Sequence, residues 1–296
     1  MWWLRALGHV PLPVMYALGA VLTVLMRDVL RYRVGVARDN LSKALPELDP
    51  AERRRVLRQH YRAFADVLFE LPRVAAMGAE ELRERVRLPD LPLLQADYRH
   101  GHAVLLLTGH QCNWEWLLQA VALDVGMPFL CAYKPPHSAS ADRLMLGLRG
   151  RFGVQMVPGK RLLREVLRRR GAVHVIGMVA DQMPTSSAGR VWLRFLGRDT
   201  AFFPGPAEVA RAGAYSAYFL ALRRVQRGHY EARFEPLAVA GENLGVEEFT
   251  ARYAARVEAL IKESPEDWAW THRRWKLKRP TVSELAPGQE LEADDR

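Results

Sequence analysis

The chain has 296 residues, with 43 Lys and Arg against 33 Asp and Glu, which gives a formal net charge of +10. This length suffices for one α/β domain with a full core and small extensions. The excess of Arg favours anionic partners such as acidic lipid headgroups, phosphorylated substrates, acidic carrier proteins or nucleic acid, and composition does not choose among them. The two cysteines, Cys112 and Cys131, argue against a disulfide framework and favour a reducing compartment.

The N-terminus contains an uncharged stretch from Val10 to Met26. As a helix it would span about 26 Å, slightly less than a bilayer core of about 30 Å. A cleaved signal peptide is disfavoured, because Arg27-Asp28 follows directly and no small-x-small cleavage site precedes it. A buried core helix remains the alternative.

We predict that residues 1–33 form a membrane anchor that either spans the bilayer or lies in its interface. Trp2 and Trp3 would lie at headgroup level. The Arg residues that follow the apolar stretch would keep the rest of the chain in the cytoplasm, by the positive-inside bias.

An amphipathic helix is predicted after Asp49, which can act as the N-cap of a capping box with Glu52, while Pro50 suits the first helical position. Apolar residues recur every three to four positions from Val56 to Leu71 and indicate one buried stripe. The other face is rich in Arg. It is either a solvated face or a surface for anionic lipid.

Beyond this helix, buried strands alternate with helices, a pattern typical of an α/β fold with a mainly parallel sheet flanked by helices. We predict a single domain over residues 34–279 and a polar, disordered tail over 280–296. The predicted elements are a helix near 79–87, strands at 103–107, 128–133, 153–158 and 173–180, helices at 141–151 and 160–170, a helix from 205 to 213, a strand pair at 215–222 and 230–236, and a helix at 246–262.

Several common catalytic motifs do not occur. The sequence contains no G-x-S-x-G elbow, no P-loop, no H-E-x-x-H and no G-x-G-x-x-G after a strand. Cys112 with His110 alone is a poor zinc set. These absences disfavour NTPases, serine hydrolases, common zinc enzymes and classical dehydrogenases.

His110 and Glu115 lie between the apolar runs 103–107 and 117–123, where a strand feeds a helix. Five residues place two side chains about 140° apart on an ideal helix. The two therefore meet only if His110 precedes the helix and Glu115 lies in its first turn, with Asn113 as N-cap. Glu115 would then accept the Nδ1 proton of His110, leaving Nε2 to take a proton from a hydroxyl. Ordinary structural hydrogen bonding remains the alternative.

The segment Gly109 to Glu115 resembles the H-x4-D/E block of the bacterial late (lauroyl/myristoyl) acyltransferases of lipid A biosynthesis, within the lysophospholipid acyltransferase superfamily. The similarity runs to about Arg279 through blocks in the order of that family. These blocks are the N-terminal apolar segment, Asn40-Leu41, Leu45-Pro46, Arg149 and Arg151 with Phe152-Gly153, Asp181-Gln182, Phe195-Leu196-Gly197, Pro204-Gly205-Pro206-Ala207, Ala210-Arg211-x-Gly213 and Trp270 to Lys276.

The resemblance implies a glycerolipid acyltransferase-like fold at the cytoplasmic face of the inner membrane. It implies His110 as the base and Glu115 as its partner, and it places Asn113, Arg149 and Asp181 at substrate-binding positions. Arg149 suits a bidentate contact with a phosphate, or else is a structural Arg. For Asp181, the alternative to the family position is a pairing with Arg149 or the capping of a loop. The aromatic residues Trp192, Phe202 and Phe203 line either an acyl channel or plain core, and a packing or electrostatic role is expected for His272, Arg273 and Arg274.

The expected activity is transfer of a fatty acyl chain from acyl carrier protein, or from acyl-CoA, to a hydroxyl of a lipid A precursor. Acyl carrier protein and anionic membrane lipids are the expected partners, with no metal, no bound cofactor and no nucleic acid. Alternatives are acylation of a lysophospholipid, an ornithine lipid or a polyene-type ester, and a non-catalytic lipid-binding protein on this fold.

Two departures from the family pattern bear on the acceptor. Met183-Pro184-Thr185 follows Asp181-Gln182 where an acidic or aromatic residue and Gly are common, and Cys112 replaces a small Gly before Asn-Trp-Glu.

Overall fold

The structure, a computed structural model, describes residues 2–184 and 189–280. Nearly all of the predicted polar tail lies outside the described residues, so its expected disorder stays a prediction.

A seven-stranded sheet forms the centre of the fold, in the order β1-β9-β8-β2-β5-β3-β4. All neighbouring pairs are parallel except β8 and β9, which form an antiparallel hairpin. A separate antiparallel pair, β6 and β7, lies apart from this sheet. The strands are β1 Val86–Arg87, β2 Val104–Thr108, β3 Phe129–Tyr133, β4 Gln155–Pro158, β5 Val175–Val179, β6 Val191–Phe195, β7 Arg198–Phe202, β8 Ser216–Gln226 and β9 His229–Ala238.

Helices cover both faces of the sheet, and two apolar clusters form the core on its opposite sides. The predicted mainly parallel α/β fold with flanking helices is confirmed. The α-helices are α1 Trp2–Gly8, α2 Leu12–Val24, α3 Val34–Ala44, α4 Pro50–Glu70, α5 Ala79–Arg85, α6 Leu91–Arg99, α7 Trp114–Asp124, α8 Ala139–Arg149, α9 Gly159–Arg168, α10 Gly205–Gly213 and α11 Val246–Glu263.

The local signals place most boundaries well. At α4, the Asp49 side chain accepts from the backbone N–H of Glu52, and the Glu52 carboxylate accepts from the N–H of Asp49, so the capping box is present. The helix predicted over 79–87 ends earlier, because Val86–Arg87 pairs with β9 as the edge strand β1. Tertiary strand pairing there overrides the local helical pattern.

The apolar N-terminus forms α1, α2 and a π-helical turn, Leu25–Val29. The segment Leu12–Val29 is long and apolar enough to cross a membrane, which makes it a candidate anchor as predicted. One side of α2 packs on α4 through residues that include Met15 and Gly19, whereas its remaining apolar side chains are exposed.

The C-terminal segment after α11 folds back to the centre of the molecule. Trp268, Trp270 and Arg274 are buried there. The amide of Asn40, on α3, donates to the carbonyl oxygens of Trp270 at 2.8 Å and His272 at 2.9 Å. Asn40 therefore ties the N-terminal part of the chain to this segment.

We expect Asn40→Ala to lower the free energy of unfolding by about 1–3 kcal/mol, because two carbonyl oxygens lose their amide donor inside the protein. Lys43→Ala, at an exposed position of the same helix, is the matched control and should change stability by less than about 0.5 kcal/mol. Urea denaturation in detergent, followed by tryptophan fluorescence, measures both. Equal effects of the two substitutions would contradict the assigned role of Asn40.

Candidate active site

The site lies where two central parallel strands end. Thr108, the last residue of β2, pairs with Val179, the last residue of β5. The hydroxyl of Tyr253 on α11 donates to the carbonyl oxygen of Thr108 at 2.9 Å and accepts from the N–H of Ala180 at 3.3 Å, so one side chain holds both strand ends. Parallel strands put their carboxyl ends at one edge of the sheet, where ligands usually bind.

His110 and Asp181 each follow one of these strands by two residues, and they are in direct contact. Nδ1 of His110 lies 2.5 Å from Oδ1 of Asp181, and the backbone N–H of His110 donates to Oδ2 at 2.9 Å. The indole N–H of Trp268 donates to the same Oδ2 at 2.8 Å. Gly109 lies directly beneath this carboxylate, since a Cβ there would stand 3.4 Å from Oδ2, an ordinary contact distance.

Asp181 is fully buried and is held as a carboxylate by its surroundings. Burial opposes its ionisation, but the charge of His110 and the donors from His110 and Trp268 outweigh burial and lower its pKa to about 2. A buried, ionised carboxylate on Nδ1 fixes the tautomer of an imidazole and stabilises its protonated form.

The prediction that Glu115 is the partner of His110 is wrong in this structure. Glu115 accepts from Nε of Arg149 at 2.9 Å and from Nη2 at 2.5 Å, a bidentate ion pair. Asp181 takes the Nδ1 position because it comes from the adjacent strand and meets the turn before α7 directly. The alternative that Asp181 pairs with Arg149 is therefore also wrong, whereas its contact with the backbone N–H of His110 does hold the turn before α7.

Arg149, at the end of α8, is brought to the site as expected, with 22% of its side chain exposed. Burial disfavours its charge, but the hydrogen bonds and charge of Glu115 prevail and raise its pKa. The pair thus presents a fixed guanidinium beside a carboxylate in the same cavity as His110.

Asn113 is the N-cap of α7, as predicted: its side-chain oxygen accepts from the N–H of Trp116 at 2.9 Å. Its expected role in substrate binding is not supported, because the residue has no exposed surface and does not line the cavity. The amide Nδ2 donates instead to Oε2 of buried Glu70 at 2.7 Å. Asn113 fixes the start of the helix and leaves no group for a ligand.

Cys112 adopts a φ of 52°, in the left-handed region that favours Gly. This backbone conformation explains why a small Gly suits the position and why Cys is a departure with a conformational cost. The thiol is buried, and burial raises its pKa well above the ordinary value, so it is not poised as a thiolate nucleophile.

A cavity of about 1220 Å³ opens beside His110, and Glu115, Arg149 and His272 also line it. Its apolar wall includes Val121, Phe129, Met156, Met178 and Leu220, whereas Lys134, Lys160 and Arg161 supply positive charge. Among the described residues no group of three or more His, Cys, Asp or Glu is arranged to hold a metal ion.

Of the three aromatic residues predicted for an acyl channel, Phe203 lines this cavity and is partly exposed. Phe202 is core, with the Arg274 guanidinium 4.6 Å from its ring centroid, and Trp192 does not reach the cavity.

Sequence reasoning missed two contributors from the C-terminal segment. His272 lines the cavity, and its pKa is lowered to about 4, mainly by burial, so it stays neutral at pH 7. Trp268 completes the donors to Asp181. The Trp-rich run from 268 to 275 was the available signal, but nothing in its spacing indicates that it folds back to Asp181 and Gln111.

Comparison with known proteins gives a family match over nearly the whole chain. Residues 1–277 match the family described as bacterial lipid A biosynthesis acyltransferase. The chain is 21% identical over 278 residues to a lipid A biosynthesis palmitoleoyltransferase of Escherichia coli (strain K12), covering 94% of this chain and 90% of that protein. A lipid A biosynthesis acyltransferase of Shigella flexneri matches with the same identity and coverage.

The lowered pKa of Asp181 predicts a specific dependence of stability on pH. A carboxyl group with a folded pKa of about 2, below its unfolded value of about 3.9, stabilises the fold above pH about 5 and loses this contribution as the pH falls toward 2. The contribution is about 2–3 kcal/mol at neutral pH.

The stability difference between wild type and Asp181→Asn should therefore shrink as the pH falls from about 5 toward 2, where the Asp181 carboxylate becomes protonated. Urea titrations of both proteins across this range measure the difference. A difference that does not change with pH would show that Asp181 has an ordinary pKa in the folded protein.

Proposed function

The chain belongs to the bacterial lipid A biosynthesis acyltransferase family, and on this premise we propose that it transfers a fatty acyl chain from a thioester donor to a hydroxyl of a lipid A precursor. The donor is acyl carrier protein or acyl-CoA. The observation that carries the proposal is the His110–Asp181 pair at the mouth of a large, mainly apolar cavity.

His110 is the general base in this proposal, and Asp181 is the carboxylate that orients it. Because Nδ1 is bound to Asp181, Nε2 is the nitrogen that takes the proton of the acceptor hydroxyl. The alkoxide oxygen attacks the thioester carbonyl carbon, the C–S bond breaks, and the thiolate leaves. The proton then passes from Nε2 to the thiolate, so the ester and the free thiol are the products and the base is restored.

Arg149 is the proposed site for a phosphate of the acceptor or of the donor's phosphopantetheine arm. Glu115 occupies Nε and Nη2, and among the described residues no partner for Nη1 is seen. Glu115 therefore holds the guanidinium in place. Such a fixed charge suits a phosphate better than a mobile Lys would.

Positive charge around the cavity supports an acidic donor or a phosphorylated acceptor. Lys160 and Arg161 begin α9 beside the cavity, and Lys134 follows β3. Acidic carrier proteins and phosphorylated lipids both complement such a rim. Attachment to the cytoplasmic face of the inner membrane through the N-terminal helix is part of the proposal, because the acceptor is a membrane lipid.

Two other functions stay open to test. Another acceptor lipid, such as a lysophospholipid or an ornithine lipid, would use the same base and cavity. A non-catalytic lipid-binding protein would keep the cavity but would not need the ordered His110–Asp181 pair.

The direct test is acyl transfer from labelled acyl carrier protein and from acyl-CoA into a panel of lipid acceptors, with wild type and His110→Ala compared. Loss of the base should lower turnover by about 10²–10⁴-fold. Lys43→Ala, far from the cavity lining, is the matched control and should retain activity. Equal turnover of wild type and His110→Ala would refute the mechanism, and no turnover with any donor would favour the lipid-binding alternative.

Double-mutant cycles distinguish Asp181 from Glu115 as the functional partner of His110. If Asp181 acts only through His110, Asp181→Asn should lower kcat in wild type but cause little further loss in the residual activity of His110→Ala. Glu115→Gln should instead be non-additive with Arg149→Lys and nearly additive with His110→Ala. A strong coupling between Glu115 and His110 would instead show that Glu115 is the functional partner of His110, as the sequence predicts.

A further inference from the structure

The N-terminal helix α2 lies antiparallel along α4 over its whole length. At one end, the Thr23 hydroxyl is 3.5 Å from the carbonyl oxygen of Tyr61. In the middle, a Cβ at Gly19 would lie 3.4 Å from the ring of Phe69. At the other end, the Tyr16 hydroxyl donates to Oε1 of Glu70 at 2.8 Å. A helix held at both ends by a second helix of the catalytic domain is part of that domain.

The contact between the two helices contains charged groups that cannot enter a bilayer at low cost. Asp66 and Glu70, both on α4, are buried beneath α2. Arg227, from the β8–β9 turn, forms an ion pair with Asp66. Its guanidinium also donates to the backbone carbonyl oxygen of Tyr16 at 3.3 Å and lies 4.0 Å from the centroid of the Tyr16 ring. A spanning α2 would either carry these charges into hydrocarbon or abandon every one of these contacts.

The opposite side of the same segment is apolar and exposed. One third of the window Leu12–Val29 is buried against the protein. The exposed apolar side chains, each 39–67% accessible, are Trp3, Leu7, Val14, Leu18, Val21, Val24, Leu25, Val29 and Leu30.

Positive charge borders this apolar face. On α4, Arg58 and Arg62 are exposed and share the helical stripe of Ala65 and Phe69, which face α2. Arg31 is exposed just after the π-helical turn. An apolar helix face beside exposed Arg is typical of segments that lie in the headgroup region of anionic membranes.

We propose that α2 does not cross the bilayer but lies in the plane of an anionic phospholipid surface, with its docked side on α4 and its exposed apolar side in the lipid. This inference rests on the proposed membrane attachment and settles the form that attachment takes. It places residue 9 and residue 43 on the same side of the membrane, whereas a spanning helix would separate them.

Single-cysteine labelling tests this topology without any acyl-transfer measurement. His9→Cys precedes α2, Lys43→Cys follows it, and both positions are exposed, whereas the native Cys112 and Cys131 are buried. The full chain in inside-out inner-membrane vesicles is treated with a membrane-impermeant maleimide, before and after permeabilisation, with wild type as background.

We expect both introduced thiols to react before permeabilisation. If the thiol at position 9 reacts only after permeabilisation, while that at 43 reacts before, the helix spans the bilayer and the inference is overturned. A chain that is absent from the vesicles would overturn membrane attachment as well, and acyl transfer assayed separately would still decide the enzyme activity.

A matched pair of substitutions tests the docked side. Leu at Gly19 would collide with Phe69 and Asp66, whereas Leu at the neighbouring, exposed Ala20 meets lipid only. We expect Gly19→Leu to lower the thermal midpoint in detergent and Ala20→Leu to leave it unchanged. Equal midpoints would show that α2 does not depend on α4 and would contradict the docked arrangement.

The lipid-facing side is tested with vesicles of phosphatidylethanolamine and phosphatidylglycerol. Val21→Glu should weaken binding of the purified full chain by about tenfold or more, because it puts a charge on the exposed apolar face that would insert into the lipid. Ala255→Glu, on the exposed side of α11, carries the same charge change and should have a much smaller effect. Equal effects of the two would mean that α2 does not face the lipid.

Discussion

The contact between His110 and Asp181 is the interaction on which the site depends. It exists because β2 and β5 are parallel neighbours whose last residues are in register, so that each strand delivers a side chain to the same point. The hydroxyl of Tyr253 fixes the two strand ends. The buried charge of Asp181 is stable only while its donors stay in place, which makes the surrounding packing part of the chemistry.

A second buried carboxylate, Glu70, links the turn that carries His110 to the N-terminal helix. One carboxylate oxygen of Glu70 accepts from the hydroxyl of Tyr16 on α2. The other oxygen accepts from the amide of Asn113, the N-cap of α7, and from the hydroxyl of Tyr230 in β9. Helix α2, for which we propose contact with the membrane, and helix α7, which begins beside His110, therefore share one hydrogen-bonded group. In that proposal, the shared group would keep the cavity at a fixed orientation to the lipid surface.

The pairing of Glu115 with Arg149 changes the meaning of the H-x4-E spacing. The spacing places a carboxylate in the first turn of α7, near but not on the imidazole, and the carboxylate fixes a guanidinium that faces the same cavity. Asp181 thus holds the imidazole of His110, and Glu115 holds the guanidinium of Arg149. The structure brings His110, Glu115, Arg149 and Asp181 to one place, as the family resemblance implies, but Glu115 and Asp181 have other neighbours there than expected.

Local patterns were enough to predict the alternating strands and helices, the capping box at Asp49, the N-cap at Asn113 and the apolar N-terminal segment, because each depends on residues close in the chain. The same locality limited what could be foreseen. The edge strand Val86–Arg87, the approach of Asp181 to His110, and the return of Trp268 and His272 to the cavity all depend on segments far apart in sequence. Strand order in the sheet decides these contacts, and a single chain's periodicity carries no information about which strands become neighbours.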